Sequence, residues 1–371
     1  MATGYSSIAV PAPAAAGQER RRYLFGPVAD FVTFGGLSLV LFPLLLLLPL
    51  TDQVLQRATL LTVVVAHLVN HPHFAHSYQI FYRGFHAKAL GTALGPVMRA
   101  RYLFAGIAVP LLLAGYLGWG FLRADARMLG YAANAMALFV GWHYVKQGYG
   151  LLMVDCALKR QFFSAADKKV LLVNCYVVWA GGWLLLNQIV HVTNVLGLAA
   201  YALALPVWAL NWGLAAAMTT TIAAGAVVAR QWRKAGSLPL NGLAAYVASL
   251  YLWFGMTIIN PLWALLAPAF HSLQYLAVVW RFESNRERAV TPHNGILAHT
   301  GAFALGGVLL GYLGFQWLPA LADLRVAYDS ASLGPTFFGF AALIFINVHH
   351  YFIDNVIWRR ENPETQAHLF A

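Results

Sequence analysis

The sequence predicts an all-α fold, a polytopic membrane bundle of about ten transmembrane helices with both termini cytoplasmic. Three observations predict it. Of 371 residues, 60% are hydrophobic and only 10% charged, against roughly a quarter charged in soluble domains. Apolar runs of about 20 residues, enough to cross a bilayer, recur from Val28 almost to the C-terminus. Finally, Lys and Arg fall in every second interval between those runs and at both ends, as cytoplasmic loops require.

Residues 1–18, rich in Ala, Pro, Gly and Ser, read as a disordered tail, and 19–371 as one membrane domain. Arg20, Arg21 and Arg22 precede a long first apolar run with no small-residue cleavage pattern after it, so that run is expected to remain as an anchor. Apolar runs and breakers place spans at about 28–50, 54–82, 101–122, 127–155, 169–190, 202–230, 241–258, 261–282, 296–318 and 334–359. Only "IINP" at Ile258–Pro261 divides the seventh from the eighth, and the segment is too long for one crossing. Cations gather at 20–22, 83–101, 159–169, 230–234, 281–288 and 359–360, whereas "TDQ" after the first span and "VTNVLG" near Asn194 carry none. An even number of crossings satisfies this pattern.

The net charge of +11 is scattered among short loops and forms no basic stripe, which argues against nucleic acid as a partner. Cys156 and Cys175 are too few for a disulfide framework or a thiolate metal site.

The chemistry lies in histidines inside the spans. His67, His71, His73 and His76 occupy the cytoplasmic half of span 2. His143 with Gln147 occupies that half of span 4, His271 with Gln274 that of span 8, and His349, His350 and Asp354 that of span 10. Four helices of the same direction thus carry eight imidazoles to a similar depth. Pairs three or four apart, such as His67 with His71 or His350 with Asp354, share a helix face. All eight histidines are candidate ligands, and of the four in span 2, His73, directly after Pro72, is the one most expected to face away. An ionised group at mid-membrane costs about 2.5 to 3.5 kcal/mol on insertion scales, so so many polar residues imply a shared purpose. Neutral imidazole with carboxylate suits a first-row metal, and the lack of clustered thiolate disfavours zinc–thiolate or copper(I) sites. Eight imidazoles point to two ions, or to one with outer partners such as Gln147, Gln274, Asn347, Tyr144 and Tyr275. Asp354 is expected either as a ligand or as an ion-pair partner of Lys146.

"HLVNH" at 67–71 and the eight intramembrane histidines resemble the membrane fatty-acid desaturase and hydroxylase class. That resemblance implies a non-haem centre of two iron ions which activates O2 and oxidises an apolar chain, with His67 and His71 among its ligands. A looser likeness is to the bacterial carotene-cleaving membrane oxygenases, also multispan and histidine-bearing. The expected partners are a lipid, isoprenoid or other apolar substrate and an external electron donor, since no flavin or nicotinamide fingerprint is present. Two alternatives stand beside this reading: a haem or copper redox protein, and a proton-coupled transporter with a His and Asp relay.

Overall fold

The computed structural model describes residues 22–47, 51–189, 192–259, 266–290 and 296–370. The 1–18 tail, the Asn260–Pro261 break, His191 and His293 lie outside the described residues.

At 83% helix, the chain forms an all-α bundle. Helix α1 is Pro27–Leu45. Helix α2 runs from Asp52–Val65 through a π turn at Ala66–Asn70 into His71–Tyr82. A short α3, Phe85–Ala89, leads to α4, Pro96–Leu122. Helices α5, Ala126–Lys159, and α6, Ala165–Ile189, follow, then α7, Val207–Ala235, and α8 over 240–259. The last third holds α9, Ala267–Val290, and α10, Leu297–Arg325. It ends with the short α11, Ser330–Leu333, then α12, Phe337–Ile357, and α13, Pro363–Leu369. Each expected apolar segment thus coincides with a helix.

Six of these, α1, α4, α6, α7, α10 and α12, are long and apolar enough to cross a membrane. Helices α2, α5 and α9 are absent from that set, and they carry His73, His143 and His271. Polar side chains turned inward lower the hydropathy of the very helices that build the interior. The outside is correspondingly apolar: Leu111, Leu112, Met218, Ile222 and Leu305 are all exposed.

The chain departs from pure helix at "VTNVLG". There β1, Val192–Val195, pairs antiparallel with β2, Leu198–Tyr201, with Val195 opposite Leu198. Leu196 and Gly197 have φ of 47° and 89°, the left-handed pair whose twist suits a two-residue hairpin turn. The Gly197 N–H donates to Asn194 Oδ1 at 2.8 Å.

The course of α2 decides the site. Pro72 has no N–H for the turn before it, and the π turn at Ala66–Asn70 takes up the break. Beyond it, one side of α2 lies against α10. A Cβ on Gly311 would meet the His71 backbone at 2.8 Å, and one on Gly307 would meet the His76 ring at 2.3 Å. This small-xxx-small pair lets two helices approach closely where lipid supplies no hydrophobic drive. Gly311→Leu is therefore expected to cost about 1 to 3 kcal/mol, as overpacking does. A lower thermal midpoint in detergent would register it.

At the end where Lys and Arg gather, α13 folds back against α9 and α12. Lys88 Nζ pairs with Glu364 at 2.7 Å, Thr365 Oγ1 donates to the Ile357 carbonyl at 2.6 Å, and Asn362 Nδ2 donates to Tyr102 OH at 3.2 Å. Beside them, just past the apolar stretch of α9, Glu283 binds Arg83 at 3.0 Å, Arg286 at 2.8 Å and His299 at 3.0 Å. His299 thus belongs to an ion-pair network. His368, expected in solvent, packs edge-on to Phe282 at 5.7 Å. Burial alone would raise the Glu283 carboxyl, but hydrogen bonds and charge from Arg286, Arg83 and His299 outweigh it and lower it from 4.5 to about 2. A depressed carboxylate stabilises the fold above its unfolded value and loses that contribution as pH falls through the folded one. Thermal stability of this end should therefore fall between pH 4.5 and 2, and Glu283→Gln should flatten that part of the curve.

Candidate metal centre

Four histidines from four helices meet in one buried ring. His73 of α2, His350 of α12, His143 of α5 and His271 of α9 lie with ring centroids 4.8 Å, 4.9 Å, 4.8 Å and 5.3 Å apart around the circuit. All four are at most 6% exposed. Asp354, one turn beyond His350, places Oδ2 at 3.3 Å from His350 Nε2 and 3.7 Å from His143 Nε2. Two overlapping triads result, His73–His271–His350 and His143–His350–Asp354, each with its donor atoms within 4.8 Å of one another.

The proton positions can be worked out from the partners. His73 Nδ1 lies 2.6 Å from the Asn70 carbonyl oxygen, an acceptor only, so Nδ1 carries the hydrogen and Nε2 the lone pair. Ser272 Oγ, 2.9 Å from the same Nδ1, has two acceptors for its one proton, the Pro268 carbonyl at 2.7 Å and Asn70 Oδ1 at 2.9 Å. His350 Nδ1 meets Ser77 Oγ at 2.8 Å, Ser77 Oγ meets Tyr275 OH at 2.6 Å, and Tyr275 OH donates to Asp354 Oδ1 at 3.0 Å. With Asp354 ionised, one direction satisfies these three bonds: His350 donates to Ser77, Ser77 to Tyr275, Tyr275 to Asp354. His350 Nε2 is then also a lone pair, turned toward Asp354 Oδ2.

The inward-facing atoms consequently lack donors. His73 Nε2, His143 Nε2, both His271 nitrogens, His350 Nε2 and Asp354 Oδ2 are buried without a hydrogen-bond partner among the described residues. Lone pairs crowded into one dry pocket repel and forfeit hydration, costing about 1 to 3 kcal/mol per unsatisfied group. A cation at their centre would take one atom from each side chain, and four imidazoles with one carboxylate are a donor set for a first-row divalent metal.

Outer contacts hold the ring. Gln147 Nε2 donates to the His271 carbonyl and to Gln274 Oε1, both at 2.9 Å, and Gln274 Nε2 donates to the Phe34 carbonyl at 2.7 Å. Tyr144 stacks on His271 with centroids 4.2 Å apart, and Tyr351 on His143 at 4.6 Å. Asn347 stands one step back, accepting from Tyr351 OH at 3.0 Å. Ser77→Ala should weaken metal affinity about 10- to 100-fold, the usual cost of losing an orienting partner. Titration with a chelator would measure it, with Ser77→Thr restoring most of the loss.

The other four histidines are placed elsewhere. His67 bonds the Val63 carbonyl through Nδ1 at 2.7 Å and lies beside Tyr312 of α10, ring centroids 6.4 Å apart. His71 stacks on Phe315 at 4.4 Å, and His76 bonds Gln79 and stacks on Phe303 at 4.3 Å. His349 uses both nitrogens on Tyr78 OH, at 2.9 Å, and the Ala105 carbonyl, at 2.9 Å. So the structure turns His73 inward, against the expectation that it faces away, and turns the "HLVNH" pair His67 and His71 toward α10. The π turn explains this: it shifts the helical phase between His67 and His73, which a regular-helix reading cannot anticipate. Lys146, expected as a possible partner for Asp354, instead lies over the Tyr176 ring at 5.8 Å. Ser77 and Ser272 were missed as orienting groups. Their signal was positional, four residues after His73 and directly after His271.

A cavity of about 860 Å³ opens from His143, Tyr275, Tyr351 and Asp354 and reaches Arg360 and Gln366 on the basic side. That is within the usual size of small-molecule sites. No family model, curated protein or solved structure matches the chain.

Proposed function

We propose that this protein is a membrane-embedded, metal-dependent oxidoreductase that uses O2 on an apolar or lipid-like substrate. One observation carries the reading: five side chains from four helices converge on a buried pocket in two overlapping triads, and each turns an atom there that has no hydrogen-bond partner among the described residues.

The residues that would hold the ion are His73, His143, His271, His350 and Asp354. The size of this group supports one ion, where the count of eight histidines suggested two. Iron is the reading most compatible with imidazole and carboxylate donors and oxidative chemistry. When bound, such an ion supplies O2 activation and one-electron chemistry. The protein's own part is to fix His73 and His350 in the tautomer that presents Nε2, through Asn70 and Ser77. Tyr275 holds a proton on its hydroxyl against Asp354, and Tyr144, Tyr351 and Phe74 pack around the imidazoles as a water-excluding wall. A carboxylate and a third imidazole at this range speak against a haem, whose macrocycle needs an open plane between axial ligands. A transporter would need polar groups continuing toward the opposite face, whereas the cations that line this cavity, Lys146, Lys168, Arg359 and Arg360, belong to the basic side.

We further propose ten crossings with both termini cytoplasmic. The alternation of Lys and Arg supports this, and it puts the metal centre in the inner half of the bilayer, close to an external electron donor.

Metal analysis of purified protein tests the reading. About one first-row metal per chain, with O2 consumption stimulated by an apolar substrate and a reductant, is the expected result. A metal content near zero after expression in metal-replete medium and reconstitution would overturn it.

A further inference from the structure

The cavity that leaves the metal centre has an unusual wall. Its middle is apolar, with Leu151, Val154 and Val278, yet it also holds Lys146, Lys168, Arg359 and Arg360. Cations at a cytoplasmic membrane end are ordinary topology signals, so their presence alone means little. Their gathering around one cavity without a paired carboxylate is the discriminating feature. At the same end Arg83, Lys88, Lys159 and Arg286 each pair with a carboxylate, at 3.0, 2.7, 2.9 and 2.8 Å. None of the four cavity cations forms an ion pair among the described residues. The Lys146 and Lys168 ammonium groups rest over the Tyr176 and Phe162 rings, both at 5.8 Å, and Arg359 Nε is buried without a hydrogen-bond partner. The cavity's own acids are Asp354, turned to the metal pocket, and Glu361.

Partly desolvated cations without counter-charge are costly, and an anion brought by a ligand would repay that cost. The wall along α5 from His143 to Ala157 is about 21 Å long at 1.5 Å per residue, which leaves room for an extended apolar chain as well. We infer that the cavity binds an amphiphile with a compact anionic group, a carboxylate or phosphate, held by Lys146 and Arg359 on the basic side of the metal centre. Lys146 lies three residues after His143 on α5, about one turn of helix, and Arg359 follows two residues after the end of α12. The inference rests on the proposed function for the meaning of "substrate", but ligand binding is measured without turnover.

The test uses purified full-length protein in phosphatidylcholine nanodiscs and displacement of a fluorescent long-chain fatty acid. Unlabelled fatty acid, the alkyl phosphate and the neutral alcohol of equal chain length are the competitors. The acid and the phosphate should bind about tenfold or more tighter than the alcohol, the worth of one charge-assisted contact. Lys146→Met with Arg359→Gln should erase that preference while metal content stays at the wild-type level, and Lys146→Arg should keep it. Equal affinity for the alcohol, or a preference that survives the double substitution, would overturn the inference. In a second arm, nanodiscs containing phosphatidylglycerol replace free acid. If they compete with the probe, the anionic group is a bilayer lipid's headgroup; if not, the ligand is a free amphiphile. Anion preference without bound metal would reject the oxidoreductase reading and leave this one standing.

Discussion

His350→Ala should strip the protein of its metal. This residue belongs to both triads, so its removal leaves neither intact. Losing an orienting partner already costs about 10- to 100-fold in affinity, so losing the shared ligand should exceed about 100-fold and leave the purified variant essentially metal-free. His143→Ala and His271→Ala should behave similarly. The contrast makes the experiment decisive: His67→Ala, His76→Ala and His349→Ala should retain near-normal metal, because their nitrogens already meet Val63, Gln79, Tyr78 and Ala105. A uniform loss across all eight positions would point to a fold-wide effect, and loss confined to His67 and His71 would restore the resemblance-based assignment.

Asp354→Asn should change sign with metal loading. In loaded protein the substitution removes the only carboxylate of the donor group, so affinity should fall on the order of 100-fold, with activity following. In metal-free protein the same change is stabilising. A carboxylate oxygen 3.3 Å from His350 Nε2 faces the lone pair that the Ser77 contact assigns there, whereas an amide nitrogen at that place can donate to it. Satisfying such a buried group is worth about 1 to 3 kcal/mol. The thermal midpoint of the apo variant should therefore rise above apo wild type while that of the loaded variant falls. Parallel shifts in both states would reject the metal assignment of Asp354.

Much of this arrangement was legible in the sequence, for a physical reason. Histidine is costly in a bilayer, so His143 and His271, each alone in an apolar helix, announce a polar partner across the bundle. The His350 and Asp354 spacing of four fixes a shared face on any helix, and the structure keeps it. What could not be read was phase along α2. Four histidines in ten positions offer several faces, and the π turn before Pro72 selects the one bearing His73 and Ser77. The hairpin at 192–201 was hidden similarly, since its two-residue turn depends on a leucine, Leu196, in a conformation that leucine seldom adopts. The ring of four was also overcounted, because His76 and His349 look like ligands until Gln79, Tyr78 and the Ala105 carbonyl come into view.

The four imidazoles are drawn from positions 73, 143, 271 and 350, spread over most of the chain. Nascent protein leaving the ribosome can assemble three of them early, but the fourth, with its carboxylate, is synthesised near the very end. On the proposed function, cofactor loading is therefore expected late in biogenesis, completed only when α12 has inserted, and a chain cut short before α12 should bind no metal however well its earlier part had folded.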